Sequence, residues 1–493
     1  MKFLDAQQRE QIGFSFVMDK LGITTPYGLQ ERKNIVPFKH SEIDILNHEL
    51  NSLDTVINSI NSHTEEYNSI GRIFCKLKDI RNSIKRCSEG ETLDEIELYE
   101  IKYFSMLVAQ LKDVLDELHL NIGELNLNSL HGIIYTLDPG DTGIPTFYVY
   151  DEYSKILKSI RENKKQKEKE IFTAKTEEER SLLKQQRLDL VIEEEAEELR
   201  IRKELTTDIS KETKSLNQNI KAIGRLDFLI AKANLSIAYN GTRPKICSEM
   251  KIRLSDASSP EIKEILEKDK KRFTTVSIDL NAGTTIITGA NMGGKSVTLK
   301  TIALNLLLGQ MGFFVFAKDA EFPILNFIHF VSDDMQSVSK GLSTFGAEII
   351  KLKEVVECVK REDGFIALDE FARGTNPKEG YYLVKALCKY LTKFNSASLI
   401  STHYDGVVQD NMEHYQVMGL KNVDFNELKY KINENKTHSV ELIQEHMDYK
   451  LEKVSKENKV PKDALNIALL LGLQNEIVDI AKEFYNQEEQ NGE

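Results

Sequence analysis

Thr284-Thr285-Ile286-Ile287-Thr288-Gly289-Ala290-Asn291-Met292-Gly293-Gly294-Lys295-Ser296 is the stretch on which the fold turns. Its first residues read as a strand, the glycines as a tight loop, and Val297–Leu308 as the helix that follows. A strand that runs through a glycine loop into a helix builds a cradle for phosphate. The glycines let backbone N–H groups turn inward, and the helix N-terminus adds its positive dipole end. Lys295 in that cradle neutralises β- and γ-phosphate charge, and Ser296 offers a hydroxyl to Mg²⁺.

Two further short apolar runs follow, Phe365–Leu368 and Ser398–Ser401, each bounded by turn residues and separated by helical stretches. That alternation predicts an α/β domain with a largely parallel sheet. Phe365-Ile366-Ala367-Leu368 ends in Asp369-Glu370, which places paired acids where such sheets bind ligands. Asp369 suits the Mg²⁺ shell, and Glu370 is placed to orient or activate an attacking water. Ser398–Ser401 ends in Thr402-His403, so His403 either reports the γ-phosphate or is a surface turn histidine.

Upstream the texture is helical. Leu46, Leu50, Leu53, Val56 and Ile57 recur at helical steps, as do Ile101, Phe104, Leu107 and Leu111. Leu137-Asp138-Pro139-Gly140-Asp141-Thr142-Gly143-Ile144-Pro145 breaks this block. Residues 151–220 then contain no Gly or Pro and hold 16 Lys/Arg against 17 Asp/Glu. The narrow seam Leu205, Ile209, Leu216, Ile220 and Ile223 predicts a long antiparallel helix pair that reverses near Thr173–Thr176, with Thr176 and Glu179 as a capping box. A final helix-turn-helix runs from Asp463 to Phe484.

The expected fold is thus α plus α/β. A helical core over 1–150 carries antiparallel coiled-coil arms over 151–222, and 223–260 returns to the core. A P-loop ATPase domain with a mostly parallel sheet spans 261–440, and a C-terminal helical module spans 441–493.

Composition narrows the function classes. The 493 residues are 41% hydrophobic and 29% charged, with no apolar run of membrane-spanning length and no signal-peptide pattern at MKFLDAQQREQIGF. No membrane partner and a cytoplasmic location are expected. Five scattered cysteines (Cys75, Cys87, Cys247, Cys358, Cys388) form no Cys-x-x-Cys pair and read as reduced thiols. The net charge of −13 opposes non-specific attraction to DNA, although a local basic patch can still serve.

Thr288–Ser296 resembles the TGPNMGGKS loop of the MutS family, with Ala290 in place of the usual proline. Asp369-Glu370-Phe371-Ala372-Arg373-Gly374-Thr375 resembles its DE-x-x-RGT segment, Ser343-Thr344-Phe345 with Glu348 its STF-x-x-E segment, and Thr402-His403-Tyr404 its THY turn, all in the family's order. Weaker likeness runs back through Ile223-Gly224-Arg225-Leu226-Asp227 and forward to Leu469–Leu473.

The resemblance implies an ATP- and Mg²⁺-dependent homodimer in which each site is completed by the partner. Gly289, Ala290, Asn291, Met292, Gly293, Gly294, Lys295, Ser296 and Val297 would hold the nucleotide, and Ser343 would reach the nucleotide of the other subunit. Arg373-Gly374-Thr375 would lie at the shared interface. Phe273 either stacks on adenine, as the resemblance implies, or packs as core. Val297–Ile302 and Gly374–Gly380 look closer to the second bacterial MutS subfamily.

Mismatch readers of the family carry large N-terminal domains, whereas this sequence begins almost at the helical core. The second subfamily carries a C-terminal nuclease-like domain, and the sequence stops before one would fit. Two functions are therefore expected. In the main one, ATP drives movement of the arms to remodel a protein, as in the short MutS-like reactivases that accompany cobalamin-dependent lysine and ornithine aminomutases. The aminomutase or an accessory reactivase subunit would then be the partner. The alternative is a clamp ATPase on duplex DNA, related to mismatch repair or recombination control, with Arg161, Lys164, Lys165, Lys167 and Lys169 facing phosphates.

Overall fold

The computed structural model describes residues 3–289, 294–332, 344–420, 439–454 and 463–491, together with single positions 423, 428, 430 and 432. The chain forms two units. One comprises Gly22–Ile35 and Ser52–Ala233, and the other Met1–Leu21, Val36–Asn51 and Asn234–Glu493.

The first unit is helical. The helix Glu95–Leu118 buries Ile101, Phe104, Leu107 and Leu111, the stripe expected from the spacing. The Pro/Gly break folds around Asp138, whose carboxylate accepts from Thr142 Oγ1 at 2.8 Å and from the Gly143 N–H at 2.9 Å. It also pairs with Lys102 at 3.2 Å, both side chains being buried. The Ile223–Asp227 stretch is explained by packing. A Cβ on Gly224 would meet the Tyr27 carbonyl at 2.9 Å, and Asp227 accepts from the N–H and the hydroxyl of Thr25 at 2.6 and 2.7 Å.

Within residues 151–220 lie two paired helices, Lys155–Thr173 and Glu177–Ser210. Ser154 bonds Glu197 at 2.6 Å, Arg161 bonds Glu194 at 2.9 Å, and Arg187 bonds Glu168 at 2.9 Å. The pairing runs down one helix as it climbs the other, so the two are antiparallel. Thr176 caps the second helix by accepting from the Glu179 N–H at 3.2 Å. The reciprocal half of the capping box is displaced by one residue, because the Glu179 carboxylate accepts from the Lys175 N–H instead.

The seam departs from expectation. The second helix stops at Ser210, and Leu216, Ile220 and Ile223 are buried on a separate helix, Thr213–Ala238. Ser210 and Thr213 turn their hydroxyls onto the carbonyls of Thr207 and Ser210, a local competition with the helical ladder that periodicity does not register.

The second unit holds two sheets. Strands β1 (Lys245–Cys247), β2 (Lys251–Ala257), β3 (Val276–Asn281) and β5 (Asp319–Pro323) form a four-stranded sheet in the order β1-β5-β2-β3. The larger sheet is built from β4 (Gly283–Thr288), β6 (Ile328–Ser332), β7 (Phe365–Asp369), β8 (Ala397–Ser401), β9 (Glu413–Gly419) and β10 (Asp448–Lys453). Its order is β10-β9-β4-β8-β7-β6. All its pairs are parallel except β10 with β9.

Strands β4, β6, β7 and β8 are buried along their whole length, as strands covered on both faces must be. The helix Lys295–Gln310 leaves the end of β4 and is buried almost all round. Its two buried amides are satisfied: Asn305 donates to the carbonyls of Ser258 and Thr301, and Gln310 to those of Phe38 and Leu325. The first turn of this helix is thereby fixed at the C-terminal edge of the sheet. No helix among the described residues is long and apolar enough to cross a membrane.

Candidate nucleotide site

Three strand ends meet at that edge. Gly289 follows β4 with φ +134°, and a Cβ there would stand 3.1 Å from Val417 Cβ. Gly294, φ +81°, is the N-cap of the next helix. Both positions need glycine on backbone grounds alone. Register aligns Asp369 at the end of β7 with Ser401 at the end of β8, and the Thr402 N–H donates to the Ile287 carbonyl of β4 at 3.0 Å.

Lys295 is buried and donates to the Gly289 carbonyl at 2.7 Å. Its ammonium also lies 3.2 Å from Glu370 Oε1, while Arg373 Nη1 donates to Glu370 Oε2 at 2.7 Å. Glu370 is therefore gripped by two cations. Asp369 is buried and accepts from Ser401 Oγ at 2.7 Å. Ser296 and Val297 are half-buried on the first helical turn. The hydroxyl of Ser296 and the carboxylate of Asp369 are hard oxygen donors of the kind Mg²⁺ takes.

His403 is at the surface, its ring 4.2 Å from that of Tyr404. Desolvation lowers its pKa; the Glu370 carboxylate pulls the other way and Lys295 adds to the lowering. A neutral imidazole at neutral pH follows, with one nitrogen free to donate and one to accept.

The structure thus brings together Gly289, Gly294, Lys295, Asp369, Glu370 and the Ser401–His403 turn. It does not bring in Phe273, half-buried in the loop before β3 and joined to these groups by no hydrogen bond or ring contact among the described residues. Ala290, Asn291, Met292, Gly293 and Ser343 lie outside the described residues.

Contacts beyond the sequence reading also appear. Glu348 is buried on the helix Thr344–Val359 and accepts the Ala372 N–H at 2.9 Å. The Tyr404 hydroxyl donates to the Ala372 carbonyl at 3.3 Å. Tyr449, where the β10 register shifts, packs on Gly294: a Cβ there would meet its ring at 3.2 Å. Motif spacing marks Glu348, Ser401 and Tyr404, but nothing in the sequence marks Tyr449.

A mostly parallel sheet whose strand ends carry two positive-φ glycines, a buried lysine and two acids marks a nucleotide-binding α/β protein. Residues 285–488 match the family profile of MutS domain V, so this part of the chain carries a MutS domain V. It is similar to an endonuclease MutS2 of Acetivibrio thermocellus, 32% identical over 306 residues, which is 61% of this chain and 35% of that protein. The endonuclease MutS2 of Staphylococcus epidermidis is 34% identical over 215 residues, 43% of this chain and 27% of that one. That of Caldanaerobacter subterraneus subsp. tengcongensis is 25% identical over 424 residues, 73% of this chain and 52% of the relative. The chain spans about a third of the length of the first of these relatives.

None of these relatives is named for an aminomutase; each is named an endonuclease. The basic arm cluster departs from expectation. Arg161 is bonded to Asp151, Glu194 and Glu198, Lys164 to Glu194, and Lys167 to Glu170. Three of the five expected phosphate contacts are therefore spent within the helix pair, because each faces acids across or along it. Lys165 and Lys169 are exposed.

Proposed function

We propose that the chain binds and hydrolyses Mg-ATP at this site and works as an ATPase on nucleic acid, in the manner its relatives' name implies. The carrying observation is the placement of Lys295 against Glu370, 3.2 Å apart at the end of the sheet. ATP phosphates in the glycine loop would compete for Lys295 and draw it from Glu370. The released carboxylate oxygen could then accept a proton from water. Mg²⁺, held by Ser296 and Asp369, would neutralise charge on the phosphates. Arg373, on the other Glu370 oxygen, keeps the carboxylate aimed while Lys295 moves.

The helix pair 155–210 acts in this reading as a stiff coiled-coil lever, cross-linked by its own ion pairs. Assembly as a homodimer, with Ser343 completing the partner's site, is part of the same proposal. The test is Mg-dependent ATP turnover with and without duplex DNA across a salt series. DNA should change turnover, and its affinity should fall with salt at about 0.9 of a log unit per phosphate contact. Turnover blind to DNA, with no binding at about 50 mM salt, would return the protein-remodelling reading to first place.

A further inference from the structure

The turn after β7 holds two non-glycine residues in the left-handed region, Glu370 at φ +48° and Ala372 at φ +64°. Side chains rarely adopt such backbone, and it persists only where the surroundings over-determine it. At both residues the N–H ends on a buried side-chain oxygen from another element. The Glu370 N–H donates to Ser401 Oγ at 3.0 Å and to the Ser401 carbonyl at 3.2 Å. The Ala372 N–H donates to Glu348 Oε2 at 2.9 Å. Ser401 and Glu348 are 0% and 1% exposed. Water therefore cannot take over either bond.

We propose that Ser401 and Glu348 are the positioning residues of the hydrolytic step. They hold the backbone at 370 and 372 in the one conformation that sets the Glu370 carboxylate between Lys295 and Arg373. Released from them, the turn relaxes toward ordinary φ values and swings the carboxylate away. The inference rests on the ATPase reading and deepens it.

The two anchors differ in one respect. The Ser401 hydroxyl accepts from the Glu370 N–H and gives its own proton to Asp369 Oδ1 at 2.7 Å, so it also orients the carboxylate proposed for Mg²⁺. Glu348 meets the turn through the Ala372 N–H. The Ser401 anchor is therefore tied to the metal dependence as well as to the turn.

The test uses the full chain and reads three quantities: kcat, the affinity for a fluorescent non-hydrolysable ATP analogue, and the Mg²⁺ concentration for half-maximal turnover. Glu348→Ala should lower kcat about a hundredfold, the scale of a misplaced catalytic group, with analogue affinity and Mg²⁺ requirement unchanged. Adding Ala372→Gly should recover about tenfold of that loss, because glycine needs no anchor at positive φ. Ser401→Ala should lower kcat and also raise the Mg²⁺ requirement. In a Glu370→Gln background, with Mg²⁺ saturating, neither change should slow hydrolysis further.

Wild-type kcat in Glu348→Ala and Ser401→Ala would overturn the inference. So would a loss that Ala372→Gly leaves untouched in a folded protein, or an additive loss on top of Glu370→Gln. Should Glu348→Ala fail to fold, Glu348→Gln carries the test. It keeps an acceptor oxygen and should keep turnover within a few-fold of wild type; a loss equal to that of Glu370→Gln would count against the proposal. A wild-type protein without Mg-dependent hydrolysis, or a Glu370→Gln variant with full turnover, sinks the ATPase reading and this inference together. Failure of the anchor variants alone sinks only the inference.

Discussion

Lys295 Nζ stands 3.2 Å from Glu370 Oε1, so the proposed phosphate-neutralising cation and the proposed water-activating acid are ion-paired. Nucleotide must compete with the acid for the lysine. Glu370→Gln removes that competitor and should tighten Mg-ATP binding a few-fold, whereas Lys295→Ala should weaken it by tenfold or more, about 1.4 kcal/mol at least. Equilibrium titration with a fluorescent ATP analogue reads both. Equal affinities in the three proteins would show that the ion pair has no bearing on binding.

The proposed completion of each site by a partner subunit makes a separate prediction. Ser343→Ala and Lys295→Ala, each inactive alone, should regain part of the wild-type turnover when mixed, because one composite site in the heterodimer escapes both lesions. Mixed dimers that form yet stay inactive would count against sharing of the site.

Arg161 holds three carboxylates, those of Asp151, Glu194 and Glu198, and is 18% exposed. Arg161→Ala leaves the buried Glu194 and its neighbours short of a cation and should cost about 1–3 kcal/mol, read as a lower urea midpoint. Lys169→Ala, at an exposed position, should cost close to nothing. DNA contacts are expected the other way round: removal of Lys165 and Lys169 should flatten the salt dependence by about 0.9 per contact. Equal stability losses at Arg161 and Lys169 would mean that the ion-pair network does not hold the helices together.

His329 is buried on β6, and burial pushes its imidazole down to about 4 from an ordinary value of 6.5. Glu354 and Asp5 pull it upward, and Lys351 works with burial. The unfolded chain therefore takes up the proton first on acidification. The stabilisation is complete above about pH 6.5 and is lost as pH falls toward 4, to a total of up to about 3 kcal/mol. Melting temperatures over that range should fall more steeply for wild type than for His329→Leu. Parallel curves would remove His329 as the source.

Much of the site was legible because its parts are local in sequence. Thr284–Leu308 reads as strand, loop and helix, and Asp369-Glu370 stands at the end of an apolar run. The missing Gly and Pro over 151–220 likewise announce the helix pair. What stayed hidden depends on register between distant segments. Arg161 meets Glu194 across the helix pair, so a run that reads as a basic patch is largely neutralised at home. Leu216 and Ile220 keep the seam's spacing across Lys211-Glu212, where the helix ends. Glu348 and Ala372 lie far apart in sequence, and no pattern shows that one carboxylate holds the other's N–H. Tyr449 reaches Gly294 from β10, at the place where the register of that strand shifts.

Single-turnover hydrolysis of Mg-ATP by Glu370→Gln, with binding followed in parallel, tests the central claim most directly. Nucleotide should bind at least as tightly as to wild type, and hydrolysis should be slower by about a hundredfold or more, leaving a trapped ATP complex. Wild-type hydrolysis in the variant would contradict the assignment of Glu370 and, with it, the chemistry assigned to this sheet edge.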